Sequence, residues 1–168
     1  MTTNLNNMRT CIDKPAINVV QLLRDKNLHL CTAESCTGGL LSGAVTEVAG
    51  SSEVFGFGLT AYANSIKEQM LGVSPVTLRE HGAVSAQCAK EMAFGALKAS
   101  GADIGVSITG IAGPGGGTDG KPVGTVYIAC VHENKINIIH LRIAGDRRHI
   151  RNESVRQALI MILNMIRG

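Results

Sequence analysis

Thr32-Ala33-Glu34-Ser35-Cys36-Thr37-Gly38-Gly39 stands between a short apolar run, Leu28 to Thr32, and a stretch in which Leu40, Leu41, Ala44, Val45 and Val48 recur at helical spacing. The pattern predicts a strand, a hydroxyl-rich turn and then a helix over about residues 37–49, ended by Gly50-Ser51-Ser52. A turn of this kind presents a nucleophile-type side chain at a strand end. It also aims unpaired backbone N–H groups from the helix start at whatever sits there. Acyl transfer and anion binding both suit it.

Outward from this turn the same alternation continues. Ile17, Val20, Leu22 and Leu23 predict a helix over 14–26, behind a polar, aperiodic extension at 1–13. Val54 to Ala61 predicts a strand, and Asn64 a cap for a short helix carrying Lys67, Met70 and Leu71. Ser74-Pro75 opens another helix, and Ser85 caps a long one over 85–99. A strand at 103–109, a hairpin of 123–132 with 135–143 around Glu133-Asn134, and a closing helix at 152–166 complete the chain. Helices alternating with strands, with a late hairpin, give an α/β sandwich on a mixed sheet. Sites in such folds gather where strands end. The segments 32–39, 61–67 and 109–117 follow strands and are the expected contributors.

Composition excludes several classes. The chain has 168 residues, with 45% hydrophobic and 17% charged, which fits one globular domain with an aliphatic core, since aromatics are only 3%. A net charge of +3 is too mild for nucleic-acid binding. No apolar run reaches the length of a membrane span, and the N-terminus lacks a signal-peptide core. The cysteines Cys11, Cys31, Cys36, Cys88 and Cys130 form no CxxC pair, as expected of reduced thiols in the cytoplasm. The histidines are far apart with no HExxH or HxH spacing, so no metal site is expected.

Each candidate residue has a chemical and an ordinary reading. Ser35 is either a nucleophile or a helix cap. No GxSxG elbow surrounds it, so an α/β-hydrolase assignment is unsupported. Cys36 is a rival nucleophile, but no histidine lies in the strand-end segments to serve as its base, and it reads better as a small packing residue. Lys67 near a helix start opposes the helix dipole, which lowers an ammonium pKa as a general base requires; otherwise it is simply exposed, with Tyr62 half-buried. Gly115 to Lys121 imitates GxxxxGK, but Pro122 and a strand follow where a P-loop needs a hydroxyl and a helix. The glycine-rich loop 109–122 is therefore either a close backbone approach to a ligand or a flexible crossover. Arg147, Arg148, Arg151 and Arg156 form a late basic cluster that suits a small anion or a solvated helix face.

The ordered words TAESCTGG (32–39), AGSS (49–52), AYANSIK (61–67), HGAVS (81–85), SITGIAGPGGG (107–117) and KPVGTVY (121–127) are more specific than any of these patterns alone. Together they resemble the competence-damage-inducible protein C-terminal domain family, CinA-like, over about residues 15–166. The stand-alone members of that family include nicotinamide-nucleotide amidases. The resemblance implies a three-layer α/β/α sandwich around a mixed, mostly parallel sheet, filling residues 14–168, and assembly as a homodimer or higher homo-oligomer. It implies hydrolysis of the carboxamide of nicotinamide mononucleotide to nicotinate mononucleotide and ammonia, without metal or organic cofactor. A silent paralogue that binds a pyridine nucleotide, or an amidase for another small carboxamide, is the alternative. The family's serine nucleophile falls on Ser35, its lysine base on Lys67 and its tyrosine on Tyr62. Active members commonly read YSN or YTN where this chain reads Tyr62-Ala63-Asn64.

On this reading the N–H groups from Cys36 to Gly39 are the expected oxyanion donors, with Thr37, Gly38 and Gly39 against the substrate. Thr109 is expected at the amide or ribose. The phosphate has alternative seats, on the loop around Gly113 and Gly115 or on Arg147 or Arg151. The partner implied is a small nucleotide, and neither a nucleic acid nor a membrane.

Overall fold

The computed structural model describes residues 2–168, with side chains from Ile12 onward. The extension expected over residues 1–13 lies largely outside the described side chains. Helix α1 (Thr2–Lys26) leads into strand β1 (Leu30–Glu34), α2 (Leu40–Thr46) and β2 (Phe55–Thr60). Three helices follow, α3 (Asn64–Leu71), α4 (Pro75–Glu80) and α5 (Ala86–Ser100). Then come β3 (Ile104–Gly110), β4 (Thr125–His132), β5 (Lys135–Arg142) and α6 (Arg147–Arg167).

The five strands form one sheet in the order β2-β1-β3-β4-β5. β1 pairs parallel with both β2 and β3, while β4 is antiparallel to β3 and to β5. Four strands therefore share one direction and β4 alone is reversed, a mixed and mostly parallel sheet as expected. The chain moves from β1 out to β2 and then back past β1 to β3. Right-handed crossovers in opposite directions must lie on opposite faces. So α2 joins α1 and α6 on one face, and α3 to α5 cover the other.

Period-two alternation feeds both layers. Leu30, Ile104, Val106, Ile108, Val126 and Ile128 pack on one side with Val19, Leu23, Leu41, Val45, Leu159 and Ile162. Cys31 and Ala33 pack on the other with Leu71, Cys88, Met92 and Ala96. No helix among the described residues is long and apolar enough to cross a membrane.

Caps set most of the boundaries. Ser74 accepts from the N–H of Val76 and Ser85 from that of Cys88, both as expected. Four boundaries differ, the first being α1, which opens at Thr2 and not at residue 14. Residue 64 opens α3 rather than capping it, because Ala63 is the extended residue before the first turn. The helix expected over 37–49 is only Leu40–Thr46, preceded by a turn with left-handed Gly38 and Gly39. The closing helix begins at Arg147 instead of 152, because Asp146 accepts from the N–H of His149 and caps it there. This last shift puts the basic cluster on the first turns of a helix aimed at the strand ends.

The layer carrying α3 is held close to α5 by a glycine. A methyl group on Gly95 would overlap the carbonyl of Leu71 at the end of α3. Gly95→Ala is expected to destabilise the protein by about 1–3 kcal/mol. Urea unfolding should show a lowered midpoint with an unchanged slope.

Candidate active site

β2, β1 and β3 are neighbours, so the loops leaving their C-terminal ends meet. The cleft they form is about 280 Å³ and is lined by Ser35, Cys36, Tyr62, Asn64, Lys67 and Thr109, with the loop 110–116 and Arg147. Its lining contains no carboxylate.

Ser35 stands one residue beyond β1. Its N–H donates to the Ile108 carbonyl at 2.9 Å, which fixes its backbone to β3. Glu34, fully buried just before it, organises the turn. Its carboxylate accepts from the N–H groups of Gly39 (3.1 Å), Leu41 (3.0 Å) and Ser42 (2.8 Å), and from Ser42 Oγ at 2.7 Å. A carboxylate placed on free helix-start donors is stabilised both by direct bonds and by the helix dipole. This clamp is why α2 starts late. It also removes part of the expected oxyanion site: Gly39 N–H serves Glu34, and Gly38 N–H donates to Ser35 O at 3.1 Å. The N–H of Cys36, which lines the cleft, remains as a candidate from that turn, whereas Thr37 is fully buried.

Lys67 comes from α3 and is only 1% exposed. Its Nζ donates to Ser35 Oγ at 3.1 Å, to the Ala61 carbonyl at 2.9 Å and to the Tyr62 carbonyl at 3.3 Å. Among the described residues no carboxylate pairs with it. Burial therefore dominates, and its pKa is held below the ordinary lysine value. As a neutral amine it has two N–H donors for the two carbonyls and a lone pair left for the Ser35 hydroxyl proton. The alternative reading of Lys67 as an exposed residue is excluded by this burial.

The neighbouring thiols are poor rivals. Burial pushes both Cys36 and Cys88 up to about 11, so each stays protonated at neutral pH.

The other expected residues divide. Tyr62 is 62% exposed, and its hydroxyl accepts from Arg147 Nη2 at 3.3 Å. Its ring stands at the mouth of the cleft, and it meets Lys67 only through its carbonyl. Arg147 also donates from Nη1 to the Gly113 carbonyl at 2.7 Å, joining the mouth's two sides. Gly113, in a cis peptide bond to Pro114, and Gly115 both line the cleft. Thr109 lines it too, with its hydroxyl donating to the Ala83 carbonyl at 2.7 Å. Thr37 is fully buried and absent from the lining, as are Gly38, Gly39 and Arg151. Arg151 instead binds the carbonyls of Cys36 and Thr37. Two contributors were missed in the sequence, Glu34 and Asn64. A lone charge inside an otherwise apolar strand was the available signal for Glu34.

The fold and this contact define an α/β protein in which a serine hydroxyl meets a buried lysine at the end of a central parallel strand. Residues 12–166 match the CinA C-terminal domain, and the chain belongs to that family. It is 49% identical over 150 residues to a CinA-like protein of Thermotoga maritima, covering 89% of this chain and 36% of that protein. The chain thus spans about a third of the length of the curated relatives it matches. Among solved structures it is similar to the competence/damage inducible protein CihA from Agrobacterium tumefaciens, with 44% identity and a TM-score of 0.91 over 94% of this chain and 96% of that one. The competence-damaged protein (CinA) superfamily protein from Enterobacter cloacae gives 35% identity and a TM-score of 0.89 over 92% of each chain.

The lowered Lys67 pKa has a definite sign. Between its folded value and the ordinary 10.5, the unfolded chain binds the extra proton, so stability rises with pH across that window. Wild-type stability relative to Lys67→Met is expected to climb as pH increases and to level off above the ordinary lysine value. Denaturant titrations of both proteins over a pH series check this.

Proposed function

We propose that this chain hydrolyses the carboxamide of nicotinamide mononucleotide, giving nicotinate mononucleotide and ammonia. The observation that carries the reading is Lys67 Nζ at 3.1 Å from Ser35 Oγ, buried and without a counter-charge. In this mechanism neutral Lys67 takes the hydroxyl proton as Oγ attacks the amide carbon. The tetrahedral oxyanion is received by the turn's remaining N–H group. Collapse breaks the C–N bond, and Lys67 returns the proton to the departing ammonia. Water then enters, gives a proton to Lys67 and attacks the acyl carbon. The proton passes back to Ser35 Oγ as the carboxylate leaves.

Family membership supports the site assignment, since the matching words carry Ser35 and Lys67. The cleft's charge supports an anionic substrate: it has the Arg147 guanidinium and no carboxylate in its lining. Arg147 is the proposed phosphate ligand, because its guanidinium stands at the mouth between Tyr62 and Gly113. The exposed Tyr62 ring beside it offers a face for a planar base.

Ammonia release from nicotinamide mononucleotide by the purified protein is the direct test. Ser35→Ala and Lys67→Met should each lower kcat by roughly 10³-fold or more, with circular dichroism unchanged. Arg147→Ala should raise KM by about 10–100-fold, the loss of one charge-assisted contact. The same variant should abolish the preference for the mononucleotide over its riboside. Nucleotide binding without ammonia release would refute the hydrolytic reading.

Wild-type kcat/KM should increase with pH as Lys67 loses its proton, with a midpoint below the ordinary lysine value of 10.5. Lys67→Arg, which stays charged, should be inactive throughout the pH–rate profile.

A further inference from the structure

We propose that Arg151 is a positioning residue for the catalytic turn, acting on the reaction through the Cys36–Thr37 backbone and not through the substrate. The inference rests on the hydrolytic reading of Ser35 and Lys67.

The guanidinium reaches from the second turn of α6 and forks across two successive carbonyls. Nε donates to Cys36 O at 3.1 Å and Nη2 to Thr37 O at 2.7 Å. Both carbonyls belong to the turn immediately after the nucleophile. Arg151 is outside the cleft lining and borders a separate depression of about 470 Å³ with Gly39, Leu40 and Arg148. A substrate in the cleft therefore meets Arg147, while Arg151 grips the turn from behind.

The peptide plane makes that grip consequential. In a trans peptide the carbonyl oxygen and the next N–H point in opposite directions. Holding Cys36 O toward α6 turns the Thr37 N–H away from α6. The opposite layer is the one that supplies Lys67, from α3. Arg151 thus fixes the Cys36–Thr37 peptide plane and, through it, the backbone of Cys36, which lines the cleft beside Ser35. The planar fork fixes two carbonyls at once, which a single ammonium would not do.

Gly38 supplies independent support. It has φ +61°, and a Cβ there would stand 3.3 Å from Arg151 Nη2. The left-handed backbone already favours glycine here, and the missing Cβ also leaves room for the guanidinium.

Steady-state kinetics with nicotinamide mononucleotide separate the roles, using wild type, Arg151→Met, Arg151→Lys and Gly38→Ala. A displaced turn after Ser35 should lower kcat of Arg151→Met on the order of 10–100-fold with KM nearly unchanged. Arg151→Lys, keeping one donor, should fall between that variant and wild type. Gly38→Ala should repeat the kcat loss through the same contact. Added guanidinium ion should restore part of kcat in Arg151→Ala, and none in Ser35→Ala. A raised KM with unchanged kcat in Arg151→Met would make Arg151 a substrate ligand and overturn the proposal. Unchanged kcat and KM would overturn it as well. Should Arg151→Met fail to fold, Arg151→Lys and Gly38→Ala decide by the same split. A wild-type protein that releases no ammonia would instead refute the hydrolytic reading, and the positioning role with it.

Discussion

A carboxylate shut away from water has to find donors, and Glu34 finds them at the start of the following helix. Four hydrogen bonds from Gly39, Leu41 and Ser42 meet that demand. In doing so they tie the end of β1 to the beginning of α2 and leave residues 35–39 one compact path between them. Ser35 is held at the exit of the strand because the next structural anchor lies so close. The placement of Ser35 is thus a by-product of satisfying a buried charge.

The site uses a second buried charge in the opposite way. Glu34 is surrounded by donors, whereas Lys67 meets carbonyls and a hydroxyl but no anion. The two residues are separated by the thickness of the sheet, with Glu34 serving the α2 layer and Lys67 arriving from α3. One group gathers donors and holds the backbone. The other is urged toward its neutral form by burial. The arginines of α6 divide similarly. Arg147 reaches Gly113 and Tyr62 across the mouth, and Arg151, one helical turn later, reaches the carbonyls behind Ser35.

Much of this was legible in the amino-acid order. The strand–turn–helix around Ser35, the caps at Ser74 and Ser85, and the convergence of three strand ends all follow from local pattern and fold-level rules. Ser35 and Lys67 were visible as chemistry because the matching motif words carry them. What stayed hidden was tertiary. Residues 37–39 look helical by spacing, but Glu34 takes the N–H groups that a longer helix would have used. Arg147 and Arg151 read as one basic patch, since spacing does not say which side of a turn a guanidinium will approach. Tyr62 reads as a partner of the lysine, yet its hydroxyl turns to Arg147 while its carbonyl faces the amine.

The thiols around the amine have a consequence for reactivity. Cys31, Cys36, Cys88 and Cys130 all have their pKa raised, chiefly by burial, and Cys36 and Cys88 lie in the electrostatic neighbourhood of Lys67. Electrophiles that seek a thiolate find little of it here, even next to the serine. Alkylating agents that need a thiolate should therefore react slowly at Cys36 and Cys88. The contact between Ser35 and Lys67 is flanked by sulfur that stays capped with hydrogen, so a thiol-directed reagent is a poor probe of this cleft.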